Sequence, residues 1–90
     1  MNLDDTFCFK LGFDKKKDEK GRVYYKKTYG AGAYALVTAL EGQDDIADDA
    51  FHVAYHNEPL NVLMENDCES PMGGEFFLSN ALEMTKNMKK

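Results

Sequence analysis

Between Gly30 and Thr85 the chain contains neither lysine nor arginine. The same stretch holds eleven aspartates and glutamates, while the chain as a whole bears a formal charge of −5. Charge so unevenly distributed speaks to partners and solubility rather than to fold. Other absences narrow the field further. No apolar run approaches the roughly 18–20 residues that a membrane-spanning helix requires. The N-terminus, Met1 to Asp5, is polar and acidic and lacks the basic start and apolar stretch of a signal peptide, so a cytoplasmic location is expected. Cysteine is limited to Cys8 and Cys68, with no CxxC pair, which predicts two free thiols in a reducing compartment. With His52 and His56 they match the ligand count of a zinc site. Only the histidines have local spacing, however, so no metal is expected. Position 53 is Val, which rules out an H-E-x-x-H motif. No nucleophile, base and orienting acid stand out as a set. A non-catalytic protein without a cofactor is therefore expected.

What remains is a chain of 90 residues, enough for one domain, with an ordinary apolar content and a useful share of aromatics. Residues 1–90 are read as a single α+β domain whose sheet is mostly antiparallel, built from two hairpins and covered by two short helices. The first hairpin is expected over residues 6–29. Phe7, Phe9, Leu11 and Phe13 alternate with Thr6, Cys8, Lys10 and Gly12, as in a strand with one buried face. Asp14 to Gly21 forms the charged turn, and Arg22 to Tyr29 the return strand. Gly30 to Gly32 then breaks the pattern. Ala33 to Leu40 reads as a helix, with Tyr34, Val37, Leu36 and Leu40 at helical spacing and Gly42 as its stop. Ile46 to Asn57 fits a helix or a strand, and the alternation of Phe51, Val53 and Tyr55 favours the strand. The Asn57-Glu58-Pro59 turn and Leu60, Val62 and Met64 would complete a second hairpin. Glu75 to Leu78 reads as a further short strand. Asn80 is placed to cap a final helix with Glu83 three residues on, Leu82, Met84 and Met88 on its apolar side, and Lys86, Lys89 and Lys90 near its C-terminus.

Three surface features bear on function. Gly30-Ala31-Gly32-Ala33-Tyr34-Ala35 fits G-x-G-x-x-[GA], the pattern that lets backbone approach a pyrophosphate. The preceding strand belongs to a hairpin and the chain lacks paired βαβ units, so a tight turn is the expected role. A small-ligand or nucleotide site at Gly30–Tyr34, with the cationic hairpin as its phosphate clamp, stands as an alternative function. The hairpin tip carries Lys15, Lys16, Lys17 and Lys20, but Asp14, Asp18 and Glu19 dilute it. The chain is acidic overall, which disfavours direct nucleic-acid binding.

The third feature is the pair of doublets Asp44-Asp45 and Asp48-Asp49. They lack the glycine and distal glutamate of a calcium loop. The doublets read as a solvated acidic loop or, if the segment is helical, as the like-charge i,i+4 pairs Asp44/Asp48 and Asp45/Asp49, a face favourable only against a basic surface. Glu41 and Asp67 are placed to extend the patch. Extensive basic surfaces usually exist to hold nucleic acid. The expected function is thus a binding or inhibitory protein that acts as a nucleic-acid mimic on a partner enzyme or complex. In size and charge the chain is similar to small phage-encoded inhibitors of host enzymes or defence complexes, with no motif in common. A homo-oligomer in which the basic hairpin of one copy meets the acidic half of another is a further alternative.

Overall fold

In residues 2–88, the part of the chain that the computed structural model describes, five strands run up and down a single antiparallel sheet in sequence order. They are β1 (Asp14–Lys17), β2 (Val23–Gly30), β3 (Ala33–Thr38), β4 (Phe51–Asn57) and β5 (Val62–Cys68). A π-helical segment, α1 (Asp4–Lys10), precedes them and a long α-helix, α2 (Pro71–Met88), follows. The α+β architecture with a wholly antiparallel sheet agrees with the sequence reading. So do β2, β4 and the β4–β5 hairpin. Lys89 and Lys90, expected at the C-terminal end of the last helix, lie outside the described residues.

Period-two alternation sorts the strands into two faces. Tyr25, Ala35, Val37, Phe51, Val53 and Tyr55 are buried on the inner face, beneath the helices. The register places Lys26 opposite Leu36, Leu36 opposite Ala54, and Ala54 opposite Glu65 on the other face, which neither helix covers. A second row on this open face runs Thr28, Tyr34, His56 and Leu63. Tyr34 stacks on His56 at 4.6 Å between ring centroids, and the Lys26 ammonium sits 5.2 Å from the Tyr34 ring.

Thr6–Phe13 is not a strand. Residues 4–10 coil into α1 because Leu3 and Phe7, four apart, are the side chains that reach the core, while Phe9 is 82% exposed. Asp4 and Asp5 occupy the first turn and Lys10 the last, as the helix dipole favours. Gly12, at φ +79°, reverses the chain just past the end. Both ends of α1 are tied down. Leu3 N–H donates to Asp48 Oδ1 at 2.9 Å, and the Lys27 ammonium donates to the Leu11 carbonyl. Between them, Asp4 accepts from the Tyr25 hydroxyl at 2.6 Å and from Lys15 at 3.2 Å. The Tyr25 hydrogen bond, followed by that of Lys15, holds the Asp4 carboxyl below its usual range. The first hairpin consequently starts at Asp14, and its β1 strand is short and exposed.

Ala33–Leu40 is not a helix either. Ala35 and Val37 are fully buried while Tyr34, Leu36 and Thr38 face outward, and β3 is hydrogen-bonded on both sides as the central strand. Six residues are too few for helical and strand periods to separate, and pairing with β2 and β4 decides. Gly42 serves a turn rather than a helix end, at φ +83°.

Glu75–Leu78 is helical, and Asn80 is no cap but lies within α2. The helix starts at Ser70-Pro71 instead. Ser70 Oγ accepts the Gly73 N–H at 3.1 Å, and Pro71 fills the first position, where a missing N–H costs nothing. Pro71, Gly74, Leu78, Ala81 and Thr85 form its buried stripe at three- and four-residue spacing. A Cβ on Gly74 would stand 2.8 Å from Phe7 Cζ and 2.9 Å from Phe51 Cε2. Gly74→Ala is therefore expected to destabilise the fold by about 1–3 kcal/mol despite the better helix propensity of alanine. Urea unfolding would measure this, and a stabilised variant would show that α2 does not rest on the two rings.

Candidate functional site

The acidic residues singled out by sequence gather at one end of the sheet. Glu41, Asp44, Asp45, Asp48 and Asp49 lie on the segment joining β3 to β4, and Asp67 lies near the end of β5 beside it. Tight turns shape the segment. Gln43 N–H donates to the Leu40 carbonyl at 2.9 Å, which places Glu41 and Gly42 at a turn. Ala47 and Ala50 exchange backbone hydrogen bonds of 3.3 and 3.2 Å, with Asp48 and Asp49 between them. Half-buried Ile46 anchors the segment to the core. The segment does not form a helix, so the doublets make no i,i+4 pairs.

Asp48 differs from its neighbours, because its carboxylate is engaged with the Leu3 amide. Glu41, Asp44, Asp45, Asp49 and Asp67 are exposed. Among the described residues, no lysine or arginine forms an ion pair with any of them. Sequence reasoning gave His52 no part in the site, yet His52 organises it. Its Nδ1 lies 2.7 Å from Asp67 Oδ1, and its Nε2 lies 3.5 Å from Glu65 Oε1. Ala39, Glu41, His52, Glu65 and Asp67 line a shallow depression of about 360 Å³ on the open face. The signal for Glu65 was its alternation with Asp67 along β5, which becomes informative only once β5 is paired with β4.

The basic residues flank this end. The β1–β2 turn lies beside the Glu41 turn, where Arg22, Tyr24, Glu41 and Gly42 share a surface hollow. The Gly30–Gly32 turn is far away, at the opposite end of β2, whose eight residues span about 26 Å. That turn joins two strands, so no helix N-terminus stands behind it to receive a phosphate. The cationic hairpin tip is correspondingly out of reach of any ligand held at Gly30–Tyr34. His52 and His56 point from the open face of β4 about 13 Å apart, whereas Cys68 is buried on the inner face. Among the described residues, no group of three His, Cys, Asp or Glu side chains is placed to hold a metal ion. Cys8 and Cys68 are free, and burial raises both thiols above their usual range. No described helix is long and apolar enough to cross a membrane.

The other exposed feature is apolar. Phe9 and Phe76 (82% and 67% exposed) adjoin in sequence the Lys10–Glu75 ion pair of 3.1 Å that joins α1 to α2.

No protein-family model matches the chain, and no curated protein or solved structure matches it either.

Proposed function

We propose that the protein is a non-catalytic acidic binder that occupies a basic, nucleic-acid-holding surface of a partner protein. One observation carries this reading. Six exposed carboxylates from the β3–β4 segment and β5, those of Glu41, Asp44, Asp45, Asp49, Glu65 and Asp67, converge on one end of the sheet without a lysine or arginine partner among the described residues. Charges gathered in this way raise the local negative potential, steer a basic partner to the site, and lose their hold as salt screens them. The turns that fix the segment lower the entropy cost of presenting it. Neutralising Asp44, Asp45, Asp49, Glu65 and Asp67 together is expected to abolish co-precipitation with nucleic-acid-handling enzymes, and undiminished co-precipitation would refute the proposal.

A second reading is favoured by the row on the open face. Lys26, Leu36, Ala54 and Glu65 run base, apolar, apolar, acid across four strands. A two-fold axis along the strands between β3 and β4 would set Lys26 of each copy over Glu65 of the other. For such a homodimer, Lys26→Glu is expected to weaken self-association at least about tenfold, and adding Glu65→Lys to restore it. Sedimentation velocity over a concentration series would measure both steps. Absence of rescue by the charge swap would remove this reading and leave the acidic binder intact.

A further inference from the structure

A cleft lies at the other end of the molecule, where the last turns of α2 cross the inner face of the sheet. The β2–β3 turn rests here on the β4–β5 turn. Glu58 N–H donates to the Gly32 carbonyl at 2.8 Å, and a Cβ on Gly32 would stand 2.8 Å from Pro59 Cδ. These turns close one side of an open-mouthed cleft of about 630 Å³. Its size falls within the range of small-molecule sites.

The floor is a fixed polar network. Asn57 Nδ2 donates to Tyr55 Oη at 3.1 Å, and the Asn57 side-chain oxygen accepts the Leu60 N–H at 3.1 Å. Tyr55 Oη lies 3.4 Å from Thr85 Oγ1, which donates onward to the Leu82 carbonyl at 3.0 Å. Those groups satisfy one another. Tyr29, packed edge-on to Tyr55 at 6.0 Å, differs: among the described residues its hydroxyl has no hydrogen-bond partner. Burial pushes the Tyr29 phenol up to about 12, so it remains a donor throughout the physiological range. Leu60, Leu82 and Met88 supply apolar wall, and among the described lining residues Lys86 supplies the one charge, with the Lys27 ammonium 5.1 Å from the Tyr29 ring centroid. Among the described residues no acid contributes to the lining, in a protein that bears −5 overall.

We infer that this cleft binds a small carboxylate carrying a short apolar or aromatic body, with the carboxylate at Lys86 and the Tyr29 hydroxyl and the body against Leu60, Leu82 and Met88. The Lys86 ammonium and the Tyr29 hydroxyl line the same cleft and favour an anion, because a charge-assisted hydrogen bond separates an anion from its neutral counterpart. The site stands apart from the acidic end and does not depend on the partner reading. Octanoate and phenylacetate serve as probes, with octanol and phenylethanol as neutral controls of similar shape. Amide resonances of the protein report where each binds, and titration gives the affinity. Octanoate is expected to shift the resonances of residues lining the cleft and to bind about tenfold tighter than octanol. Lys86→Met, at an exposed position, is expected to erase that preference while octanol binding persists. Tyr29→Phe is expected to weaken the carboxylates about threefold to tenfold. Equal binding of octanoate and octanol, shifts confined to other surfaces, or an undiminished carboxylate preference in Lys86→Met would each overturn the inference.

Discussion

Replacing Phe7 by alanine is expected to cost about 3–5 kcal/mol of folding stability, whereas replacing Phe9 by alanine is expected to change it by less than about 0.5 kcal/mol. The difference follows from the coil of α1. Phe7 is fully buried and meets Phe13 edge-on at 5.2 Å, Phe51 edge-on at 5.8 Å and the Tyr25 ring at 6.2 Å. It ties α1 to β2, to β4 and, through Gly74, to α2. Its removal leaves an aromatic cavity where several elements meet, with little freedom for the walls to close. Phe9, two residues on, projects into solvent. In a strand the two side chains would share one face, and both substitutions would be costly. Guanidinium unfolding of the two variants therefore reads the conformation of the N-terminal segment directly. Similar losses for both would restore the strand.

Converting Asp44, Asp45, Asp49, Glu65 and Asp67 to their amides is expected to weaken partner binding at least about 100-fold at low salt while leaving the fold intact. The five changes bring the formal charge from −5 to zero. Amides keep the size of each side chain, and none of the five carboxylates closes a core contact. Relief of repulsion between neighbouring acids offsets the lost His52 interactions, so stability is expected to stay within about 1 kcal/mol. Asp48 is left unchanged in this variant because its role is different. Asp48→Ala is expected to lower stability by about 1 kcal/mol, since the Leu3 amide loses its acceptor, with a smaller effect on binding. The slower association of the amide variant, measured by surface plasmon resonance, would separate electrostatic steering from lost contacts.

The class of fold was legible in the sequence because β2 and β5 alternate as strands do, the alternation of Phe51, Val53 and Tyr55 favours a strand over a helix for β4, and Asn57-Glu58-Pro59 marks the turn between two of them. The N-terminal segment was not. Phe7, Phe9, Leu11 and Phe13 alternate, but they belong to different structures: a helix, its exposed side, its cap and the chain beyond Gly12. The stronger cues were Asp4 and Asp5 at the start, Gly12 at the end and the Leu3–Phe7 spacing. Ala33–Thr38 went the other way, because pairing on both edges outweighs the spacing of Tyr34 and Val37. Gly73 and Gly74 are poor helix formers that obscure the Ser70-Pro71 helix start, although Gly74 is small so that α2 can settle on Phe7 and Phe51. The acidic candidates were legible as a count along the chain. That they share one end of the sheet, that His52 joins Glu65 to Asp67 and that Asp48 accepts the Leu3 N–H required the register of β4 with β5 and the docking of α1.

The most direct test of the acidic-binder account is affinity capture with the immobilised protein, challenged with duplex DNA and with salt. The account predicts that the protein retains a nucleic-acid-handling partner. Competing DNA, or a rise from about 50 mM to about 500 mM salt, should release that partner, and the five-amide variant should retain none of it. Equal retention by the two proteins, or retention indifferent to both DNA and salt, would contradict it.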